Sequence, residues 1–166
     1  MDTNVLRVGV IGVGSMGQNH ARLYSDLANL VGVYDADEGR AGEVAQRFKT
    51  ASFQDLDSLV EEVDAVSICV PNAMHFQVAS QVISQGVSAL VEKPFTGESG
   101  RATELCRMAA DAGVTLASGF VERFNPVMTF LEDNLSRPRF IEATRLASYP
   151  PPRAEGPPRG TEVSVV

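Results

Sequence analysis

A chain of 166 residues is long enough for one domain with an ordinary core, or for one domain and the beginning of another. Hydrophobic residues at 44% and charged residues at 21% lie near globular averages, and no apolar run approaches the roughly 20 residues that span a bilayer. A formal charge of −7 repels phosphate backbones and anionic lipid, which argues against nucleic-acid and membrane partners.

The opening MDTNVLRVGVIG has no basic segment ahead of a long apolar core and cleavage signal. No secretory peptide is expected, and the cytoplasm is the expected location. Residues 5–11 are the first β-branched run and lead directly into Gly12-Val13-Gly14-Ser15-Met16-Gly17, the spacing G-x-G-x-x-G, where a helical pattern starts. Such spacing also recurs in plain strand-to-helix turns, and that is the alternative reading. What points to a dinucleotide is its place between strand and helix, with the acidic Asp35 closing the next strand at 30–34. Gly12 permits the tight turn, Gly14 lets the backbone approach a pyrophosphate, and Gly17 lets helix and strand pack closely. Free N–H groups at the helix start, with the helix dipole behind them, face the phosphates, so Val13, Ser15 and Met16 join the glycines as candidate contacts.

Asp35 is the expected acceptor for the adenosine ribose hydroxyls. A like charge about 4 Å from a 2′-phosphate costs roughly 4 kcal/mol at an effective dielectric near 20, so NAD is the expected cofactor, with Asp37 adding to the repulsion. Arg40 keeps NADP open, because it could turn toward that phosphate.

Apolar residues at 56, 59, 60 and 63 give the next helix one buried face. Residues 65–70 are the third strand. Val70-Pro71-Asn72-Ala73-Met74-His75 ends it and starts a helix, with Asn72 as N-cap and His75 in the first turn. Val70, Pro71, Asn72 and His75 then line a ligand crevice, the alternative for His75 being a surface histidine. His20, in the first helix, is given no role. Strand 87–91 is followed by Glu92-Lys93-Pro94, two opposite charges and a proline that suit a core poorly; a solvated loop is the alternative. Ala102, Leu105, Cys106 and Ala109 mark another helix face, and 114–118 is the fifth strand.

Continuously apolar strands alternating with helices predict an α/β fold, a doubly wound, mostly parallel Rossmann sheet with helices on both faces and its ligand at the carboxyl ends of the strands. This domain is expected over residues 1–122. Residues 123–149, with a short helix begun by Asn125 and Pro126 and a strand at 140–148, read as the start of a second domain. A proline-rich tail follows at 150–166. Cys69 and Cys106 have no ligand spacing around them, so no metal is expected and both are expected to be buried, reduced and structural.

The segments GSMGQNHARLY, VYDAD, CVPNAMH, VEKPF and VERFNP occur in the order found in the Gfo/Idh/MocA oxidoreductases, the glucose-fructose oxidoreductase and inositol dehydrogenase group. The chain resembles that family over residues 5–149, and E-K-P at this distance is far more specific than the glycine loop. The resemblance implies an NAD(P)-dependent dehydrogenase acting on a sugar, nucleotide-sugar or polyol hydroxyl. It implies that Lys93 assists the reacting hydroxyl, that Glu92 contacts the nicotinamide ribose, and that Asn72 and His75 flank that ribose. Pro94 resembles a family proline that follows a cis bond, and Arg123 an arginine near the active-site mouth. GFVERFNPV and IEATRLASYPPPR resemble, more narrowly, the archaeal-type UDP-N-acetylglucosamine 3-dehydrogenases, a branch that oxidises a nucleotide-sugar hydroxyl.

Family members continue into a C-terminal α/β domain that sets the substrate and supplies further catalytic residues, usually an Asp and a His, whereas this sequence reads AEGPPRGTEVSVV and ends. An excised piece, a natural truncation and one half of a split enzyme all fit. The expectation is therefore the cofactor half of a dehydrogenase, poorly active alone, and the alternative is a non-catalytic dinucleotide-binding module or subunit. An apolar strand at 140–148 without neighbours invites another chain, so a homo-oligomer or a companion subunit is expected.

Overall fold

The computed structural model describes residues 5–137, 139, 140, 142 and 144. The strand expected at 140–148 falls mostly outside the described residues, and the proline-rich tail at 150–166 wholly so. The chain divides after Phe120 into two units.

The first unit alternates strand and helix: β1 Arg7–Ile11, α1 Ser15–Leu27, β2 Asn29–Tyr34, α2 Glu38–Phe48, β3 Ala51–Ser52, α3 Leu56–Val60, β4 Ala65–Ile68, α4 Asn72–Ser84, β5 Ser88–Val91, α5 Ser99–Ala112 and β6 Leu116–Ser118. Valine and isoleucine fill the strands because both faces are covered. All strand pairs are parallel, in the order β3-β2-β1-β4-β5-β6. The expected doubly wound α/β fold is present. The chain runs outward from β1 to one edge, then restarts at β4 on the other side of β1, which makes the end of β1 the switch point where ligands bind in such sheets.

Alternation along β1 feeds two cores. Val10 packs with Val13, Ala21, Val33, Val44 and Ala45 beneath α1 and α2. Ile11 joins the larger cluster built from α3, α4, α5, β4 and β5, including Leu59, Ile68, Ile83, Val91 and Leu105. Helix ends fall where the sequence changes character: Asp37 and Asp55 start α2 and α3 by accepting the N–H of Arg40 and Ser58, and Gly113 closes α5 in the left-handed region.

Four expectations are corrected by the fold. A two-residue strand, β3, went unseen because Ala51 and Ser52 make no apolar run. The helix over 56–63 stops at Val60, with Val63 buried in the following turn. Pro71 occupies the N-cap of α4 and Asn72 is its first helical residue, the position being set by proline's fixed φ. Cys106 is exposed; the buried stripe of α5 runs through Leu105 and Ala109 instead.

The second unit holds a 3-10 turn, Val121–Phe124, and α6, Pro126–Asn134, capped by Asn125 with proline at its first turn, as expected.

Leu59 is fully buried, its tip packed where β1 has Gly9 and no side chain. Leu59→Ala is expected to lower unfolding free energy by about 2–5 kcal/mol in urea titration, the range for an unfilled core cavity. A loss below about 1 kcal/mol would show that α3 is not part of the cooperative core.

Candidate functional site

Five strands end in line. Tyr34, Ile11, Ile68, Val91 and Ser118 pair in register across β2, β1, β4, β5 and β6. One further rung crosses the whole row: Gly12 N–H donates to Tyr34 C=O at 2.7 Å, Cys69 to Ile11 at 2.8 Å, Glu92 to Ile68 at 3.0 Å, and Gly119 to Val91 at 2.8 Å. Residues just past this rung therefore form one edge. Asp35 and Lys93 stand at strands three spacings apart, about 14 Å at the usual interstrand distance, a span that suits an extended ligand.

At the centre of that edge the three glycines are needed for different reasons. Gly12 has φ +84°, and a Cβ there would lie 2.8 Å from the backbone of Cys69 and Val70. A Cβ on Gly17 would run into the Gly12 carbonyl oxygen. Both are required by the protein itself. Gly14 is not: a Cβ there meets nothing within 4 Å, and its φ of −66° is open to any residue. Gly14 is the N-cap of α1 with no side-chain cap, so the first N–H groups of the helix, in Ser15 and Met16, point outward at its positive end. The loop is a cradle for an anion, and a pyrophosphate fits it.

Asp35 is held against this loop. Oδ2 accepts the Val13 N–H at 2.7 Å and Oδ1 accepts the Asp37 N–H at 2.9 Å. Val13 thus commits its amide to Asp35 and its side chain to the core. Arg40 is tied down too, at 3.0 Å from Asp37 Oδ2 and 3.5 Å from Asp35 Oδ1. The Arg40 N–H, then its guanidinium, keep the Asp37 carboxyl below its ordinary range.

At the other end, Lys93 is exposed, and among the described residues no carboxylate pairs with its ammonium. The Lys93–Pro94 peptide is cis. His75 is buried, not a surface residue: Nδ1 lies 2.8 Å from the Pro94 carbonyl and Nε2 lies 2.9 Å from the Val70 carbonyl. Its ring bridges the two loops from behind and leaves no nitrogen for a ligand. Glu92 is likewise turned inward, 6% exposed, with Oε2 accepting the Lys93 N–H at 3.0 Å and Oε1 3.0 Å from His20 Nε2. Pro71 is exposed at the mouth of α4 and Asn72 is half-buried behind it. Arg123 belongs to the second unit, exposed on its 3-10 turn.

The Gfo/Idh/MocA oxidoreductase family, with its NAD-binding Rossmann fold, matches residues 6–120. The chain belongs to this family. A UDP-N-acetylglucosamine 3-dehydrogenase from Acidithiobacillus ferrooxidans is 42% identical over 147 residues, 88% of this chain and 47% of that one. Its solved structure superposes with a TM-score of 0.76 over 77% of this chain and 42% of its own. Inositol 2-dehydrogenase 4 of Saccharopolyspora erythraea is 34% identical over 164 residues, 91% of this chain and 48% of the relative. A protein of gentamicin A biosynthesis, solved in complex with NAD, is 32% identical with a TM-score of 0.75, covering 80% of this chain and 39% of its own. The chain spans about half the length of the curated relatives it matches.

Within this family domain, sequence reasoning missed two residues. His20 reads as an ordinary helical residue, yet it reaches both Ser67 and Glu92. Gly119, at the end of β6, has no turn to make; a Cβ on it would lie 2.9 Å from Glu92 Oε1, so its absence leaves room for the carboxylate. No local spacing announces either, because their partners lie on other strands.

The cysteines separate clearly. Burial first, then the nearby Glu92 charge, push the Cys69 thiol up to about 12, whereas Cys106 is exposed on α5. In the folded protein at pH 8, Ellman's reagent is expected to label one thiol quickly, identified by mass spectrometry as Cys106, and Cys69 only after denaturation. Rapid labelling of Cys69, which is half-buried and not fully buried as expected, would contradict this separation.

Proposed function

We propose that the first unit binds NAD along the edge formed by the strand ends, and that the chain supplies the cofactor half of a dehydrogenase acting on a sugar-type hydroxyl. The observation that carries this is Gly14: the one glycine of the loop that the protein does not need sits where a phosphate must approach. Ser15 and Met16 hold the pyrophosphate by their amides, with Gly12 and Gly17 shaping the turn and Val13 fixing Asp35 for the adenosine ribose. Asp35, Asp37 and the engaged Arg40 disfavour a 2′-phosphate, so NAD is preferred to NADP. Val70, Pro71 and Asn72 wall the crevice between the two ends.

Bound NAD supplies a hydride acceptor. Lys93 contributes a mobile ammonium beside it, which stabilises charge developing on the reacting hydroxyl oxygen, and Glu92 and Pro94 fix where that lysine starts. The names of the relatives support a nucleotide sugar or a polyol as substrate. Because the chain spans about half of those relatives, the reading assigns the substrate's far wall, and Arg123's part in it, to polypeptide additional to these residues, in a companion subunit or a longer chain, and expects little turnover from the 166 residues alone. It also places the chain in the cytoplasm. Phe124, Val127 and Phe130, 86%, 59% and 63% exposed in the second unit, support association with a further chain. Light scattering is expected to give a mass above one chain, and a clean monomer would remove the homo-oligomer from this reading.

Titration of the wild-type chain with NADH and NADPH is expected to show tighter binding of NADH. Gly14→Ala is expected to weaken NADH by about tenfold or more, equal to about 1.4 kcal/mol, while moving Tm by no more than about 3 °C. Unaltered affinity in the variant would sink the phosphate assignment, and tighter binding of NADPH would sink the choice of NAD.

A further inference from the structure

A buried polar chain runs behind the crevice. Tyr24 Oη lies 2.7 Å from Ser67 Oγ, Ser67 Oγ lies 2.9 Å from His20 Nδ1, and His20 Nε2 lies 3.0 Å from Glu92 Oε1. The other carboxylate oxygen of Glu92 accepts the Lys93 N–H at 3.0 Å. The side chains of His20 and Glu92 are 13% and 8% exposed, and Ser67 is fully buried.

The donors and acceptors give the chain a direction. A carboxylate only accepts, so His20 Nε2 must donate to Glu92. In the neutral imidazole Nδ1 is then an acceptor, filled by the Ser67 hydroxyl, whose oxygen in turn accepts from Tyr24. Every buried member is satisfied in that order, and such a network specifies one arrangement strongly because each break strands a polar group away from water.

The chain links the element at the centre of the edge with the one at its Lys93 end. His20 and Tyr24 sit on α1, the helix that begins at the glycine loop; Ser67 is in β4; Glu92 follows β5 and precedes Lys93. We propose that His20 is a positioning residue: through the carboxylate of Glu92 it fixes the Lys93 backbone, and so the origin of the Lys93 side chain, relative to the phosphate-facing end of α1. Gly119 completes the device by leaving space for Glu92. The inference rests on the dinucleotide reading for its functional meaning, while its structural content is independent of any ligand.

Amide hydrogen exchange of the full 166-residue chain tests it, read by NMR at Lys93 without cofactor. His20→Ala is expected to speed exchange of the Lys93 amide by about tenfold, the loss of roughly one buried charge-assisted hydrogen bond. His20→Gln, whose amide can donate to Glu92 and accept from Ser67, is expected to restore slow exchange. A role confined to filling space would instead be rescued by His20→Leu and not by Gln. Should His20→Ala fail to fold, Ser67→Ala removes the donor to Nδ1 and is expected to shift Lys93 in the same direction. Lys93 exchange unchanged in a folded His20→Ala or Ser67→Ala variant overturns the proposal, and so does a Gln variant that exchanges as fast as the Ala one. In parallel NADH titrations, His20→Ala is expected to bind less tightly than His20→Gln, and equal affinities overturn the link to the ligand. A wild-type chain that binds no dinucleotide overturns the proposed function, and the exchange data still decide the part played by His20.

Discussion

The crevice exists because one rung of backbone hydrogen bonds continues past the ends of four neighbouring strands. Gly12, Cys69, Glu92 and Gly119 each donate to the last residue of the strand beside them, and this brings four loops to a common height. Parallel pairing is what allows it: every strand points the same way, so every exit loop opens on the same side. At Gly12 the rung demands a left-handed residue pressed against the next strand's backbone, and at Gly17 it demands that α1 start with no side chain against the Gly12 carbonyl. A substitution at either would push the helix away from β1 and spoil the rung. The uncapped, amide-presenting start of α1 is thus a consequence of sheet geometry, since a helix seated this close aims its first amides along the edge.

Behind the edge stands a second layer of buried side chains. His75 spans from the Val70 carbonyl to the Pro94 carbonyl, and His20 spans from Ser67 to Glu92. His75 joins two loops, and His20 joins a residue of β4 to the loop after β5, groups that the backbone ladder brings near one another without fixing their side chains. The ladder sets the spacing of the strand ends to within a hydrogen-bond length, and the rings set the orientation of the loop residues beyond those ends. Glu92 matters here for its acceptor geometry. Both its oxygens are engaged within the protein, so it shapes the loop that presents Lys93 and does not face outward.

The fold was legible because its signals are local. Five apolar runs separated by helical patterns and a glycine loop placed between strand and helix require only neighbours in sequence to be read, and all five strands are present within two residues at each end. β3 escaped because two residues cannot show a period. In the site, the placement of Asp35 at a strand tip beside the glycine loop was readable from its spacing to that loop. The two histidines were not, because a histidine's meaning lies in what its nitrogens touch. His20 meets partners 47 and 72 positions away, and no periodicity encodes such distances. Cys106 failed for a simpler reason: a small apolar residue at i+4 from Ala102 completes the helical stripe as well as Met108 does, and the sequence does not say which way the helix is rolled.

The same placement of the histidines bears on how the proton would leave a substrate hydroxyl. The sequence contains two histidines, and both have their ring nitrogens engaged by protein groups behind the crevice. Neither can approach a reacting hydroxyl without breaking the contacts that hold the loops. Glu92 is engaged in the same way, and Asp35 stands at the opposite end of the edge, three strands from Lys93. Of the ionisable groups the sequence marks along the edge, Lys93 is exposed and, among the described residues, without an ion-pair partner. An ammonium stabilises an alkoxide well but must first lose its own proton to act as a base, so Lys93 alone suits charge stabilisation better than proton removal. Under the proposed function the strand-end layer would hold the cofactor and the cation, and none of the engaged groups behind it would take the proton.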